Sequence, residues 1–407
     1  MAEGGTAIDR YGYTAQHAAV YSATLRVTEK EQCAVKSCEQ LVAETSEDQL
    51  GDLLADKYRE QMTLDDKVRS LDQGEGQMTG EELTAENIIM KYSLQKPYIR
   101  TLCDEPTENL RYLSLPATGR FCFDLNHGFD GNVEKDFDNE YISLLLECLD
   151  KQDIKTAKGD FVSRRGCLAR IGTSCYADDE RFDQGLEVAV QLFQGVFYVC
   201  EFKPKKDSSL KDKMNSHIGL KFESYVTAKK GEKPQPNNPL DLVNDFRVAV
   251  KAKLNSHVLV LSGEVDCCDP GNEDQFTELK TRFIRSGRRS PPRYFTCCKW
   301  WMQSFLLGVE HIVCGVRDAG GKVINDTAIE RYTLSQLETE MHPRKPQECI
   351  DSIDLFLQRV KSEVKEELVP HVFYRPAHHR MFNPAVKKDE SFAFLPFWFT
   401  SKRKNSA

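Results

Sequence analysis

The sequence predicts a mixed α+β fold, with a mixed β-sheet core and flanking helices. Three observations carry this. Runs rich in β-branched and alternating residues, such as 257–266 and 275–283, come mostly as neighbours in hairpin order. Segments with helical apolar spacing, such as 139–150 and 350–364, lie between the groups of strands. The composition, 40 % apolar with 24 glycines in 407 residues, is that of a globular chain with a sizeable core.

Residues 1–88 stand apart. Between Glu44 and Glu86 there are 13 acidic and 4 basic residues and few aromatics. A segment so charged and so poor in apolar residues predicts an acidic, partly disordered N-terminal extension, with some helix around 50–58. A regulatory or partner-binding arm is the functional alternative. Residues 89–400 are globular in composition, and 401–407 form a tail. Along the globular part, 139–150 has helical spacing and 192–200 is strand-like within 186–202. Residues 218–228 predict a helix, and 241–250 a helix or an edge strand. The runs 257–266 and 275–283 predict strands, and 294–307 a helix. His311–Arg317 predicts a strand, turned by Ala319-Gly320-Gly321 into a second strand from Lys322. The Pro- and Asn-rich 231–239 predicts a surface loop, and 350–364 an amphipathic helix.

The net charge of −8 excludes a generic nucleic-acid magnet, so any such binding needs a local patch. Fourteen scattered cysteines, two adjacent pairs among them and no C-x-x-C, argue against a zinc site and for reduced thiols. There is no apolar leader and no 18-residue apolar run, so a soluble cytosolic or nuclear protein without a membrane partner is expected. Lys402-Arg403-Lys404 would serve as a nuclear address, but reads equally as a solvated tail.

Three pieces carry the chemistry: Glu223, Glu264-Val265-Asp266 and Glu278-Leu279-Lys280. Alternation along a strand points Glu264 and Asp266 one way, and Glu278 and Lys280 one way. Pairing the two strands would gather three carboxylates and one ammonium. Such crowding asks for a cation, and a hard divalent ion on oxygen ligands, magnesium in phosphoryl chemistry, meets the need. The apolar run His257-Val258-Leu259-Val260-Leu261 reads as an interior strand, and Gly263 permits close backbone approach. Charged residues at the end of such a strand imply a function.

From Lys280 to Lys299 there are seven basic residues and no acidic one. Ser286-Gly287 and Pro291-Pro292 make this a projecting loop, and Tyr294 and Phe295 offer stacking surfaces for a single strand. A solvated basic loop is the plainer reading. Trp300-Trp301 read as core. Gln303, among apolar neighbours, needs a partner, either a water or a backbone group. Arg164-Arg165 before Gly166 suits phosphate, or a surface ion pair.

Together these pieces resemble the decapping exoribonuclease (DXO) family, from about Asn87 to Thr400. The motifs are Phe161-Val-x-x-Arg165-Gly166, Gly219-Leu-Lys-Phe-Glu223, Glu264-Val-Asp266, Glu278-Leu-Lys280, Trp300-Trp-Met-Gln303-Ser-Phe and Asp124-Leu-Asn-His-Gly-Phe129. The resemblance implies a sheet core of the PD-(D/E)XK nuclease type. It implies that Glu223, Asp266, Glu278 and the Leu279 carbonyl bind a divalent metal, and that Glu264 binds a second ion or positions water. Magnesium or manganese would serve, as two ions. Lys280 and Gln303 would hold the scissile phosphate and attacking water, and Arg165 the RNA 5′ end. The implied substrates are RNAs with incomplete caps, NAD caps or 5′ pyrophosphate, with 5′→3′ digestion in some members. Arg164 stands where the family commonly has an aromatic. The rival implied role is a binding subunit that stabilises a nuclear 5′–3′ exoribonuclease; a DNA nuclease on the same core is a second rival.

Overall fold

The structure is a computed structural model. It describes residues 88–404 apart from 96–100, 118, 132–141, 152–158, 180–182, 203–208 and 285–291. The acidic extension, with the helix expected around 50–58, lies outside the described residues, as do residues 285–291 of the basic tract.

In chain order the elements begin with β1 (Ile88–Gln95), β2 (Thr101–Leu102), β3 (Tyr112–Leu113), β4 (Cys122–Asp124), α1 (Ser143–Lys151), β5 (Phe161–Arg164) and α2 (Arg165–Gly172). They continue through β6 (Leu186–Phe193), β7 (Val196–Phe202), α3 (Leu210–Val226), β8 (Thr227–Ala228), β9 (Asp245–Leu254), β10 (His257–Glu264), β11 (Cys267–Asp269) and β12 (Asn272–Phe283). The last are α4 (Tyr294–Phe305), β13 (His311–Arg317), β14 (Lys322–Ile324), β15 (Ile329–Thr333), α5 (Leu334–Glu340), α6 (Pro346–Glu363), β16 (His371–Arg375), β17 (Lys387–Lys388) and α7 (Phe397–Lys404).

Two mixed sheets organise these strands. The larger runs β17-β16-β6-β7-β5-β10-β9-β1-β2, and the smaller β15-β13-β12-β11-β3-β8. The main apolar core joins the larger sheet to α2, α4 and α6, and includes Phe161, Val248, Leu261, Trp300, Trp301 and Phe356. Helix α6 shows why its segment folds. Pro346 opens it, and Ile350, Ile353, Phe356, Leu357 and Val360 form one buried stripe. Each such side chain stabilises the fold by about 1.5–3 kcal/mol. Helix α3 opens on a Ser209–Asp212 capping box.

The structure corrects four readings. Residues 241–250 are neither helix nor edge strand: β9 is interior, hydrogen-bonded to both β10 and β1. Its first six residues are buried on both faces, which erases the alternation that marks a half-exposed strand. Residues 186–202 hold two strands, β6 and β7, joined through Gln194 and Gly195, both at positive φ. The turn after β13 exists, but β14 leaves to pair with β4, while β13 pairs with β12 and β15. Finally, β10 and β12 do not pair; they belong to different sheets. At the C-terminus, α7 carries the chain past residue 400 to Lys404.

Candidate active site

The chain crosses from the larger to the smaller sheet between Glu264, the last residue of β10, and Cys267, the first of β11. This crossing builds the site. Strand β11 pairs antiparallel with β12 in the register Cys267↔Thr277 and Cys268↔Phe276. One step further along the same register sets Asp266 opposite Glu278. The backbone N–H of Leu279 donates to Asp266 Oδ2 at 2.6 Å. So the pairing that gathers the carboxylates is supplied by the three-residue β11, not by the long strand before it. Glu264 remains on the larger sheet, opposite Arg247 of β9.

Strand alternation sorts the next residues. Leu279 buries its side chain against α3, with Ile218, Phe222 and Val226. Glu278 and Lys280 take the other face, and Lys280 Nζ donates to Glu278 Oε1 at 2.5 Å. Helix α3 brings Glu223 to the site. Gly315 of β13 makes this possible, because a Cβ there would lie 2.5 Å from the Phe222 ring. Glu223, Glu264 and Asp266 then line one cavity of about 650 Å³.

Arg165 starts α2 at the end of β5, which runs parallel to β10 with Arg164 opposite Ser262. Its Nη1 donates to Glu278 Oε2 at 3.1 Å and to the Gln303 carbonyl at 3.2 Å. Gly263 leaves it room: a Cβ there would lie 3.1 Å from Arg165 Nε. The arginine is therefore tied to a site carboxylate rather than lying on the surface. Gln303 is half-buried. Gln303 also lines a second cavity, of about 490 Å³, with Arg170, Lys299 and Arg375. Its carbonyl is tied to the carboxylate cluster through Arg165.

Burial and pairing hold the two facing carboxylates in different states. Burial pushes Asp266 up, and the nearby Glu278 adds to this, so that it reaches about 7. Burial would also raise Glu278, but Lys280 and Arg165 outweigh it and hold Glu278 down at about 2. Burial would lower Lys280; Glu278 and Asp266 reverse that and leave it raised. Among the described residues, no three His, Cys, Asp or Glu side chains converge closely enough to grip a metal ion. Glu278 is instead turned into two cations.

The basic tract is partly spent on structure. Arg282 makes a bidentate pair with Glu330 at 2.7 and 2.8 Å, so it is not free for a ligand. Lys299 Nζ lies over the Phe295 ring, 4.6 Å from its centre. Arg285, Arg288 and Arg289 lie outside the described residues. The tryptophans are core, as expected: Trp300 and Trp301 are buried, and Trp301 Nε1 donates to Glu338.

Sequence reasoning missed the walls of the main cavity. The loop after β8, read as plain surface, lines it with Gln235 and Asn238, and Arg111 lines it as well. Only the chain proximity of that loop to Glu223 hinted at this.

The chain is similar to known proteins over this region. The Xenopus laevis decapping and exoribonuclease protein is 33 % identical over 261 residues, covering 60 % of this chain and 63 % of that protein. The Homo sapiens decapping and exoribonuclease protein is 30 % identical, covering 58 % and 63 %. These alignments span less than two thirds of the relatives' length. The crystal structure of Candida albicans Rai1 in complex with pU5-Mn2+ shares the fold at a TM-score of 0.63. It is 17 % identical over 78 % of this chain and 95 % of that one. The family model described as RAI1 like PD-(D/E)XK nuclease matches residues 87–400. Over that span, which includes the sheet crossing and both helices at the site, the chain belongs to the RAI1-like PD-(D/E)XK nuclease family.

Proposed function

We propose that this protein is a metal-dependent hydrolase of RNA 5′ ends. It removes incomplete caps, NAD caps or 5′ pyrophosphate and leaves a 5′-monophosphate. That product is consumed by 5′→3′ digestion, in this chain or in a nuclear exoribonuclease, and the proposed location is the nucleus. One observation carries the reading: Asp266 faces Glu278, with Lys280 and Arg165 on Glu278 and two more carboxylates, Glu223 and Glu264, at the same crossing. The relatives named above, and a fold relative crystallised with pU5 and Mn2+, support it.

The donor set suits a hard divalent ion, since every group is an oxygen and the half-buried Asp266 is held above the ordinary carboxylate range by burial and by Glu278. Glu223, Glu264, Asp266, Glu278 and the Leu279 carbonyl would hold magnesium or manganese, as two ions. When bound, these supply Lewis-acid polarisation of the phosphate. The chain's own groups do the rest. Lys280 stabilises charge that develops on the phosphate. Arg165, released from Glu278, grips the 5′ end bidentately. Gln303 positions water from the α4 side.

The test is incubation with 5′-triphosphate, NAD-capped, guanosine-capped and 5′-monophosphate RNAs, with magnesium, manganese or EDTA, and identification of products. Metal-dependent release of a 5′-monophosphate RNA is expected. RNA binding without hydrolysis under every metal condition would favour the non-catalytic role beside an exoribonuclease. DNA cleaved as fast as RNA would favour a DNA nuclease.

A further inference from the structure

Beyond its carboxylates, the main cavity has a wall of different chemistry. Arg111 lines it, half-buried, in a cavity that also holds Glu108, Asp245 and the three site carboxylates. Among the described residues Arg111 makes no ion pair, though carboxylates line the same cavity. Its backbone is fixed: the Arg111 carbonyl accepts from the N–H of Cys268, two residues after Asp266, at 2.9 Å. The loop after β8, which lines the same cavity, is clasped to α3. Lys221, 3 % exposed and two residues before Glu223, donates to the Pro236 carbonyl at 2.5 Å. On that loop Asn238 Nδ2 donates to Gln235 Oε1 at 2.7 Å. This leaves the Gln235 amide as a donor and the Asn238 oxygen as an acceptor, both lining the cavity.

We propose that this wall binds a nucleoside phosphate, with Arg111 on the phosphate and the Gln235–Asn238 amides on the base edge. The proposal rests on the hydrolase reading above and assigns the specificity-determining residues of the same site. A guanidinium without a carboxylate partner is a bidentate phosphate donor. Paired amides match the donor–acceptor edges by which unstacked bases are read. A volume of about 650 Å³ encloses a ligand of this size. The Lys221 clasp ties the loop that carries the amides to α3, which carries Glu223. Two sources present this chemistry: the 5′-terminal nucleotide of the RNA, and the nucleotide half of a departing dinucleotide cap.

The test uses the full chain with magnesium and two probes, adenosine 5′-monophosphate and inorganic phosphate, in equilibrium titrations. Arg111→Ala should weaken both by tenfold or more. The exposed pair Gln235→Ala/Asn238→Ala, which leaves the core intact, should weaken the nucleotide and leave phosphate unchanged. In turnover, Arg111→Ala should raise KM more than it lowers kcat. A rise for both triphosphorylated and dinucleotide-capped RNA assigns the RNA's own nucleotide, and a rise for capped RNA alone assigns the cap. Unchanged nucleotide affinity and unchanged KM in Arg111→Ala would overturn the proposal. If the wild type hydrolyses no RNA yet Arg111→Ala loses nucleotide binding, the hydrolase reading fails and this site stands.

Discussion

Asp266 and Glu278 face each other across two strands, but neutralising them should have opposite effects on the metal-free protein. Asp266 is raised to about 7, chiefly by burial. A carboxyl whose folded pKa exceeds its unfolded value loses stability as pH rises from about 4 to that value. Asp266→Asn mimics the protonated form. In EDTA it should melt with the wild type near pH 4 and a few degrees above it at pH 8. Glu278 is depressed to about 2 by Lys280 and Arg165 against the cost of burial. Its stabilisation is present above the unfolded value and lost as pH falls through the folded one. Glu278→Gln leaves two cations short of their partner, which costs about 3 kcal/mol for a buried pair. It should melt lower at pH 8. Thermal melts of both variants at two pH values check this, and a shared direction would show that the Arg165–Glu278 pair is not the metal-free state. Both should lose divalent-dependent hydrolysis by a factor on the order of 10² or more. Lys280→Ala should lower kcat more than it raises KM, because its charge is matched to the transition state; an effect on KM alone would make Lys280 a binding residue. The sequence made Asp266, Glu278 and Lys280 legible through strand alternation. It hid the Arg165 interaction, which spans 113 residues of chain and depends on a glycine in a third strand.

At the scale of elements, legibility followed how local each signal was. Apolar spacing within their own residues announces helices α4 and α6 and the second half of α3. The β6–β7 hairpin did not, because Gln194-Gly195 is a weaker turn signal than Asn-Gly. Strand β11 is three residues long, so no periodicity identifies it, yet it sets the register of the site. Helix α3 reaches the site by packing Phe222 on Gly315 of β13. An added methyl there must push the helix, and Glu223 with it, away from the crossing. Gly315→Ala should therefore destabilise by about 1–3 kcal/mol. It should also weaken magnesium binding, read by calorimetry, more than the stability loss alone explains. Gly166→Ala is the control, since nothing lies within 4 Å of a Cβ at that position. Equal metal affinity in Gly315→Ala would mean that α3 has slack at Glu223.

For the molecule as a whole, charge is the constraint. If a chain of net charge −8 acts on RNA, as proposed, it must hold that polyanion through a local positive surface. Seven basic residues between Lys280 and Lys299 supplied that expectation. Three now have partners within the fold: Lys280 on Glu278, Arg282 on Glu330, and Lys299 over Phe295. The remaining four, Arg285, Arg288, Arg289 and Arg293, follow directly on the end of β12, which carries Glu278 and Lys280. An RNA strand leaving the site along this segment would exchange condensed counterions for arginines. On a single strand, each phosphate that an arginine neutralises adds about 0.7 to the steepness of log K against log salt. Changing all four to alanine should then flatten the slope by roughly 2.8 at full engagement, and by about 1–2 if only some of them touch RNA. The drop in affinity should be similar across RNA sequences, because arginines on phosphates read no base information. Turnover of a dinucleotide-sized substrate should survive, since it reaches Glu278 without the path. Titrations of a fluorescent single strand at several salt concentrations measure the slope, and an unchanged value would make the segment a solvated loop and send the strand in from another side.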